Sequence, residues 1–109
     1  MADVLEQLAV TLVERKTADP QQSYVAGLYQ QGLSKILEKV GEEATEVILA
    51  AKDCEGATGR SALVGEVADL WFHSMVMLSH LEIEVSEVTD CLADRFGVSG
   101  VAEKASRGT

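Results

Sequence analysis

Residues 42–46, Glu42-Glu43-Ala44-Thr45-Glu46, and residues 66–69, Glu66-Val67-Ala68-Asp69, are the two stretches that decide how this chain folds. Each lies in a strongly helical region, and a glycine-containing break separates the two regions. Because residues three apart lie on the same side of a helix, each stretch presents two neighbouring carboxylates. The two pairs are equally distant from Gly56, so an antiparallel helical hairpin turning there would bring them to the same height, about 17 Å from the turn.

Four carboxylates gathered in one place repel one another and resist the loss of water, so such a cluster needs a cation. Oxygen ligands suit Mg²⁺ and Mn²⁺, whereas zinc prefers nitrogen and sulfur. The spacing therefore predicts a Mg²⁺ site, with Mn²⁺ as the alternative ion. Its predicted ligands are Glu43, Glu46, Glu66 and Asp69. The other interpretation, that these acids form only a solvated helix face, stays open here.

The apolar pattern predicts further helices on both sides of this hairpin, and no segment alternates as a strand does. Asp3, Ser23 and Ser34 are the predicted N-caps of the first three helices, because their side chains can accept a backbone hydrogen bond. The predicted elements are helices at about 4–16, 24–28, 35–53, 61–80 and 85–96, a turn at Cys54–Gly59, and a last short helix at Val101–Arg107. The predicted fold class is an all-α helical bundle with a central antiparallel helical hairpin, completed by dimerisation.

The fourth predicted helix is apolar around most of its circumference. Its polar residues Glu66, Asp69, His73 and His80 fall within an arc of about 60°. Helices of this kind are normally buried, either within their own chain or in an oligomer, so we expect a homodimer or a higher homo-oligomer. We expect His73 to be a hydrogen-bonded structural residue and His80 to lie near the surface or the helix end.

Two basic residues lie on the acidic side of the third predicted helix: Lys39 is one turn before the first carboxylate cluster and Lys35 is two turns before it. They could bind the phosphate oxygens of a substrate while the carboxylates hold the metal. They could equally be ion-pair partners of neighbouring glutamates. The sequence favours neither interpretation.

Composition narrows the class of protein further. The 109 residues are 47% hydrophobic and 25% charged, which predicts one globular domain over 1–109. A net charge of −9 argues against nucleic-acid binding, which needs a basic face. We expect no membrane association, because no apolar run reaches spanning length. The two cysteines, Cys54 and Cys91, suggest no disulfide framework, and the N-terminus does not read as a signal peptide, so we expect a cytoplasmic protein.

The residues around the acidic stretches carry a family resemblance. Residues 39–47 followed by 66–70 resemble the all-α nucleoside-triphosphate pyrophosphohydrolases, whose magnesium motif is E-x-x-E…E-x-x-D. Within that group the chain is most similar to the phosphoribosyl-ATP pyrophosphohydrolase family of histidine biosynthesis. The further matching residues are Ser23-Tyr24, Gly32-Leu33, Lys35-Ile36-Leu37, Ala50-Ala51-Lys52 and Glu103-Lys104-Ala105-Ser106-Arg107. The resemblance covers about 23–107.

The resemblance implies an enzyme, a phosphoribosyl-ATP diphosphatase that releases phosphoribosyl-AMP and pyrophosphate with Mg²⁺. It implies metal ligation by Glu43, Glu46, Glu66 and Asp69, with Glu42 as a further acid. Either Glu42 or Glu46 would assist the attacking water as a catalytic residue. The chain has no room for the cyclohydrolase domain that some relatives carry, so we expect the stand-alone form, as a dimer or larger.

Two other functions are compatible with the sequence. A house-cleaning pyrophosphatase would use the same metal motif to hydrolyse a panel of free nucleoside triphosphates. A non-catalytic helical dimerisation module would carry the acids only as a surface and would show no Mg²⁺-dependent turnover.

Overall fold

Two long helices, α3 (Leu33–Lys52) and α4 (Gly56–His80), form the centre of the fold in the computed structural model, which describes residues 3–97. Residues 53–55 connect them, and the two helices pack on each other more extensively than any other pair of elements. Because the connection is this short, the two helices are antiparallel. The carboxylates of the two acidic stretches lie on this pair.

Three shorter helices surround one end of the pair. They are α1 (Val4–Glu14), which continues into a 3₁₀ helix (Arg15–Thr17), α2 (Tyr24–Gln31) and α5 (Val85–Phe96). Helix α1 packs on α4 and α5, and α2 packs on α3. Residues 3–97 contain no strand, so the all-α prediction is confirmed for this part of the chain.

The hydrophobic core lies where α1, α2 and the start of α5 cover the second half of α4 and the first turn of α3. Complete burial of a large aliphatic side chain contributes about 1.5–3 kcal/mol, so these few residues supply much of the stability. The core residues are Leu12, Val25, Leu28, Ile36, Met75, Val76 and Val85.

Tyr29 joins three elements at the edge of this core. Its hydroxyl lies 3.1 Å from the Leu12 carbonyl oxygen, to which it donates, and 2.8 Å from the Ser79 hydroxyl, from which it then accepts. The Lys16 ammonium donates to the Ser79 carbonyl oxygen at 2.7 Å. Burial raises the pKa of Tyr29. The contacts tie α1 and the 3₁₀ helix to α2 and to the end of α4.

Several predicted helix ends are confirmed. The Asp3 carboxylate accepts from the Leu5 N–H at 3.0 Å, and the Ser23 hydroxyl accepts from the Ala26 N–H at 3.2 Å. Helix α5 has the predicted bounds: a capping box starts it, and Gly97, with a φ of +96°, ends it.

Two predicted starts are wrong. Ser34 lies inside α3, which begins at Leu33, because Gly32 has a φ of +97° and already accepts from the Ile36 N–H. The predicted turn at 54–59 shortens to 53–55, so α4 begins at Gly56 and not at Ser61. Gly59 belongs to the helix: an added Cβ there would lie 3.3 Å from the backbone of Cys54. The predicted helix at 101–107 lies outside the described residues.

Within a single chain, α4 is not buried on most of its sides, although its apolar sequence predicts a buried helix. Only His73, Met75 and Val76 of this helix are buried, whereas Val64 and Trp71 are more than half exposed. None of the helices within 3–97 combines the length and the apolar character that crossing a membrane requires. The part of α4 up to Trp71 therefore presents an uncovered apolar surface.

Candidate metal centre

The two central helices bring three acidic side chains together. Glu43 and Glu46 of α3 and Glu66 of α4 can each present a carboxylate oxygen so that all three oxygens lie within 4.8 Å of one another. Glu43 is 7% exposed, Glu66 is half-buried and Glu46 is exposed. Spacing of three along α3 and the reversal of the chain at 53–55 produce this arrangement. We call these residues the carboxylate trio.

Asp69, the fourth predicted ligand, lies outside the trio but beside it. It is exposed on α4, one turn after Glu66. Its proximity raises the pKa of both Glu43 and Glu66. The structure therefore places all four predicted carboxylates within electrostatic reach of one another.

The carboxylates of the trio have no positively charged partner among themselves, and the pKa values of Glu43 and Glu66 are raised. Burial raises the pKa of Glu43, and the neighbouring Glu46 and Asp69 raise it further, while Lys39 lowers it. Burial and the same two neighbours also raise the pKa of Glu66. The buried Oε2 of Glu43 has no hydrogen-bond partner among residues 3–97. An unpartnered buried carboxylate oxygen among acids fits a hard divalent cation, since every donor present is oxygen.

The two predicted phosphate-binding lysines differ in position. Lys39 pairs with Glu42 at 3.2 Å and borders the trio, because its charge lowers the pKa of Glu43. Lys35 lies one turn earlier and pairs with Glu38 at 3.0 Å. Both pairs span three residues and are solvent-accessible, so each contributes at most about 1 kcal/mol and can open for a ligand. Glu42 thus faces Lys39 and is not part of the trio.

An open depression flanks the trio on the side of the interhelical connection. It encloses about 330 Å³ and leaves Glu46 and Glu66 accessible from solvent. Its lining residues are Glu46, Leu49, Ala50, Asp53, Gly59, Ala62 and Glu66. A ligand can therefore approach the carboxylates without displacing a helix.

His73 has the structural hydrogen bonds that the sequence predicts, and His80, the last residue of α4 as expected, also contacts an aromatic ring. His73 is buried; its Nδ1 lies 2.9 Å from the Asp69 backbone oxygen and its Nε2 lies 2.8 Å from the Tyr24 hydroxyl. The His80 ring stacks on Tyr29 at a centroid distance of 6.0 Å. Sequence reasoning gave Tyr24 no role at the site, because its contact with His73 joins residues 49 apart. Only the fold reveals that proximity.

The fold and the site define a class of all-helical proteins in which two adjacent helices carry an E-x-x-E and an E-x-x-D carboxylate motif. The family model described as phosphoribosyl-ATP pyrophosphohydrolase matches residues 5–96. The chain is also 54% identical over 105 residues to the phosphoribosyl-ATP pyrophosphatase of Hydrogenovibrio crunogenus, an alignment covering 96% of this chain and 93% of that protein. This chain therefore belongs to the phosphoribosyl-ATP pyrophosphohydrolase family.

The match extends further towards the N-terminus than the sequence resemblance did. It begins at residue 5, near the start of α1, and not near Ser23. The reason is visible in the core, where Leu12 of α1 is buried and bonded to Tyr29 through its carbonyl oxygen. The first helix therefore belongs both to the matched region and to the core of this chain.

Proposed function

We propose that this chain hydrolyses phosphoribosyl-ATP to phosphoribosyl-AMP and pyrophosphate, a reaction of histidine biosynthesis, and that it requires Mg²⁺. Membership of the family supports the substrate and the reaction. One observation supports the metal above all others: Glu43 is buried among acids with one oxygen unpartnered. A carboxylate held this way has no favourable state in the folded protein unless it binds a proton or a cation.

The residues that would hold the ion are Glu43, Glu46, Glu66 and Asp69. Bound Mg²⁺ acts as a Lewis acid that offsets the negative charge of the triphosphate. The remaining tasks belong to the side chains around it, which must hold the phosphates and remove a proton from water.

Glu46 is the better candidate for accepting the proton of the attacking water. It is exposed, belongs to the trio and makes no salt bridge within residues 3–97. The other candidate, Glu42, is already paired with the Lys39 ammonium. Lys39 borders the trio, so it binds a phosphate oxygen after releasing Glu42, and Lys35 supplies positive charge one turn away.

The proton-acceptor assignment is tested with a matched pair of substitutions. Glu46→Gln should lower kcat by at least about 100-fold, because it removes the proposed proton acceptor together with one carboxylate of the predicted metal site. Glu42→Gln, which preserves size on the same helix, should retain most of kcat. Equal losses in the two variants would contradict the assignment.

We further propose that the functional protein is a homodimer in the cytoplasm. Ile48, Leu49, Val64 and Trp71 of the central helices are all more than half exposed, an apolar surface that a second copy would cover. The free thiols of Cys54 and Cys91 suit a reducing compartment. Light scattering on the purified chain should give twice the mass of 11.7 kDa, and a monomer would contradict the dimer.

The activity is tested by incubating the purified chain with Mg²⁺ and either phosphoribosyl-ATP or common nucleoside triphosphates, with pyrophosphate measured. We expect strong preference for phosphoribosyl-ATP and loss of turnover on adding EDTA. Similar rates across all nucleotides would instead indicate a house-cleaning pyrophosphatase. No turnover of any nucleotide would indicate a helical dimerisation module.

A further inference from the structure

Tyr24 and His73 form a hydrogen-bonded pair beside the candidate metal centre. The Tyr24 hydroxyl, at the start of α2, lies 2.8 Å from Nε2 of His73, in the second half of α4. The second ring nitrogen of His73, Nδ1, lies 2.9 Å from the Asp69 backbone oxygen. The pair therefore connects α2 to the turn of α4 that carries one of the predicted metal ligands.

The chemistry of these contacts sets the direction of each hydrogen bond. A carbonyl oxygen can only accept, so Nδ1 of His73 donates to Asp69. In the neutral imidazole Nε2 then has no proton and must accept from the Tyr24 hydroxyl. The hydroxyl proton of Tyr24 is thereby occupied, and its oxygen remains available only as an acceptor.

The position of Tyr24 leaves its hydroxyl oxygen accessible to a ligand. Although His73 is only 6% exposed, Tyr24 is 56% exposed, so an accessible ring is anchored to a buried partner. The hydrogen bond to Glu42 and then the charge of Tyr24 raise the pKa of Lys39, so Tyr24 lies within electrostatic range of a proposed phosphate-binding residue. The edge-to-face contact of the Tyr24 and His73 rings further restrains its orientation.

Tyr29, five residues later on the same helix, shows what a purely structural tyrosine looks like here. At the edge of the core its hydroxyl bonds to the Leu12 carbonyl oxygen and the Ser79 hydroxyl, and its ring is largely covered. Tyr24 shares the anchored hydroxyl but keeps its ring accessible beside the carboxylate site. Tyr29 therefore stabilises the fold, whereas Tyr24 is available to contact a ligand.

We propose that Tyr24, aligned by His73, is a substrate-binding residue whose hydroxyl oxygen accepts a hydrogen bond from a ribose hydroxyl of the nucleotide. An oxygen that can only accept has no favourable contact with a phosphate oxygen, which is also an acceptor at neutral pH. The ribose hydroxyls are the donors nearest to the phosphates in a nucleotide. His73 is a positioning residue, because it acts through Tyr24. The inference rests on the proposed function.

The test compares steady-state kinetics of the full chain, Tyr24→Phe, His73→Phe, the double variant and Tyr29→Phe, with phosphoribosyl-ATP and Mg²⁺. Loss of one neutral hydrogen bond should raise KM about 3- to 10-fold in Tyr24→Phe and leave kcat within about 2-fold. His73→Phe should raise KM by a similar factor. The double variant should be no worse than Tyr24→Phe alone, because the two residues act as a unit.

A second measurement does not depend on turnover. Calorimetric binding of phosphoribosyl-AMP should weaken about 3- to 10-fold in Tyr24→Phe and remain unchanged in Tyr29→Phe. The proposal would be overturned by an unchanged KM in Tyr24→Phe, by a loss confined to kcat, or by additive effects in the double variant. In each of these cases, turnover of phosphoribosyl-ATP by the wild type would leave the proposed function standing. No turnover of phosphoribosyl-ATP by the wild type would overturn both.

Discussion

The two parts of α4, residues 56–70 and residues 71–80, differ in how far their side chains are buried. Residues 56–70 contain no buried side chain, although they carry Glu66 and Asp69 of the candidate metal centre. Residues 71–80 contain all three buried residues of the helix and pack into the core formed with α1 and α2. One continuous helix thus supports the fold at one end and presents the candidate site at the other.

The polar groups of the two halves differ in the same way. In the second half both ring nitrogens of His73 and the Ser79 hydroxyl have partners. In the first half Glu66 faces other carboxylates, and the buried Oε2 of Glu43 opposite it has no partner within residues 3–97. Complete hydrogen bonding stabilises a fold, whereas unpartnered charge marks a place for a ligand.

Substitutions of two isoleucines of α3 test whether stability depends on the buried part of the helix pair and not on the exposed part. Ile36 is fully buried against the second half of α4, so Ile36→Ala should reduce the free energy of unfolding by about 2–5 kcal/mol. Ile48 is 60% exposed, so Ile48→Ala should change the stability of a single chain by less than about 0.5 kcal/mol while weakening self-association. Denaturant unfolding and light scattering test both. Equal destabilisation at low protein concentration would contradict the division of the helix pair.

Substitutions in the carboxylate trio should show the opposite behaviour, with a large loss of activity and no loss of stability. Glu43→Gln or Glu66→Gln should lower Mg²⁺-dependent hydrolysis by at least about 100-fold, because even residues outside the ligand shell contribute about 10- to 100-fold. Without Mg²⁺ the melting temperature should stay constant or rise, since one repelling charge is removed. Glu38→Gln, at an exposed pair with Lys35, is the matched control and should retain activity.

A smaller stability effect is expected at Tyr29, where the second half of α4 joins α1. Tyr29→Phe removes the contacts with Leu12 and Ser79 and should lower the free energy of unfolding by about 1–2 kcal/mol, without changing KM. Thr45→Ala, which removes an exposed hydroxyl bonded within α3, should cost less than about 0.5 kcal/mol. Chemical unfolding measures both, and a raised KM in Tyr29→Phe would show that the two regions are not separate.

The smallest expected effect is a dependence of stability on pH in the absence of metal. The folded-state pKa of Glu43 is raised above its ordinary value of 4.5, so its protonated form favours folding. This contribution is fully present below pH 4.5 and is lost as pH rises through the raised pKa. The difference in melting temperature between wild type and Glu43→Gln, measured with EDTA, should therefore grow in favour of the variant as pH rises. Added Mg²⁺ should reverse it, and a difference independent of pH would contradict the assignment.

Much of the fold was predictable because its signals are local. The side chains of Asp3 and Ser23 cap the helices that follow them, and α5 has the predicted bounds. The errors arose at glycines. Gly32 allows α3 to begin without a side-chain cap, and Gly59, taken as part of a turn, instead lets the first turn of α4 approach the Cys54 backbone. A glycine can indicate either a turn or a place where two backbone segments pack closely, and the neighbouring residues in the sequence do not distinguish these two cases.

The sequence by itself determined the helices, the family and the carboxylates, because helical spacing and motif depend on residues close together in the chain. The tertiary structure decided that Glu43 is buried while Glu46 and Asp69 are exposed, that Lys39 borders the trio and that Lys35 pairs with Glu38. It alone brought Tyr24 to His73. Burial and the electrostatic surroundings of an acid depend on packing between residues far apart in sequence, and no local pattern encodes them.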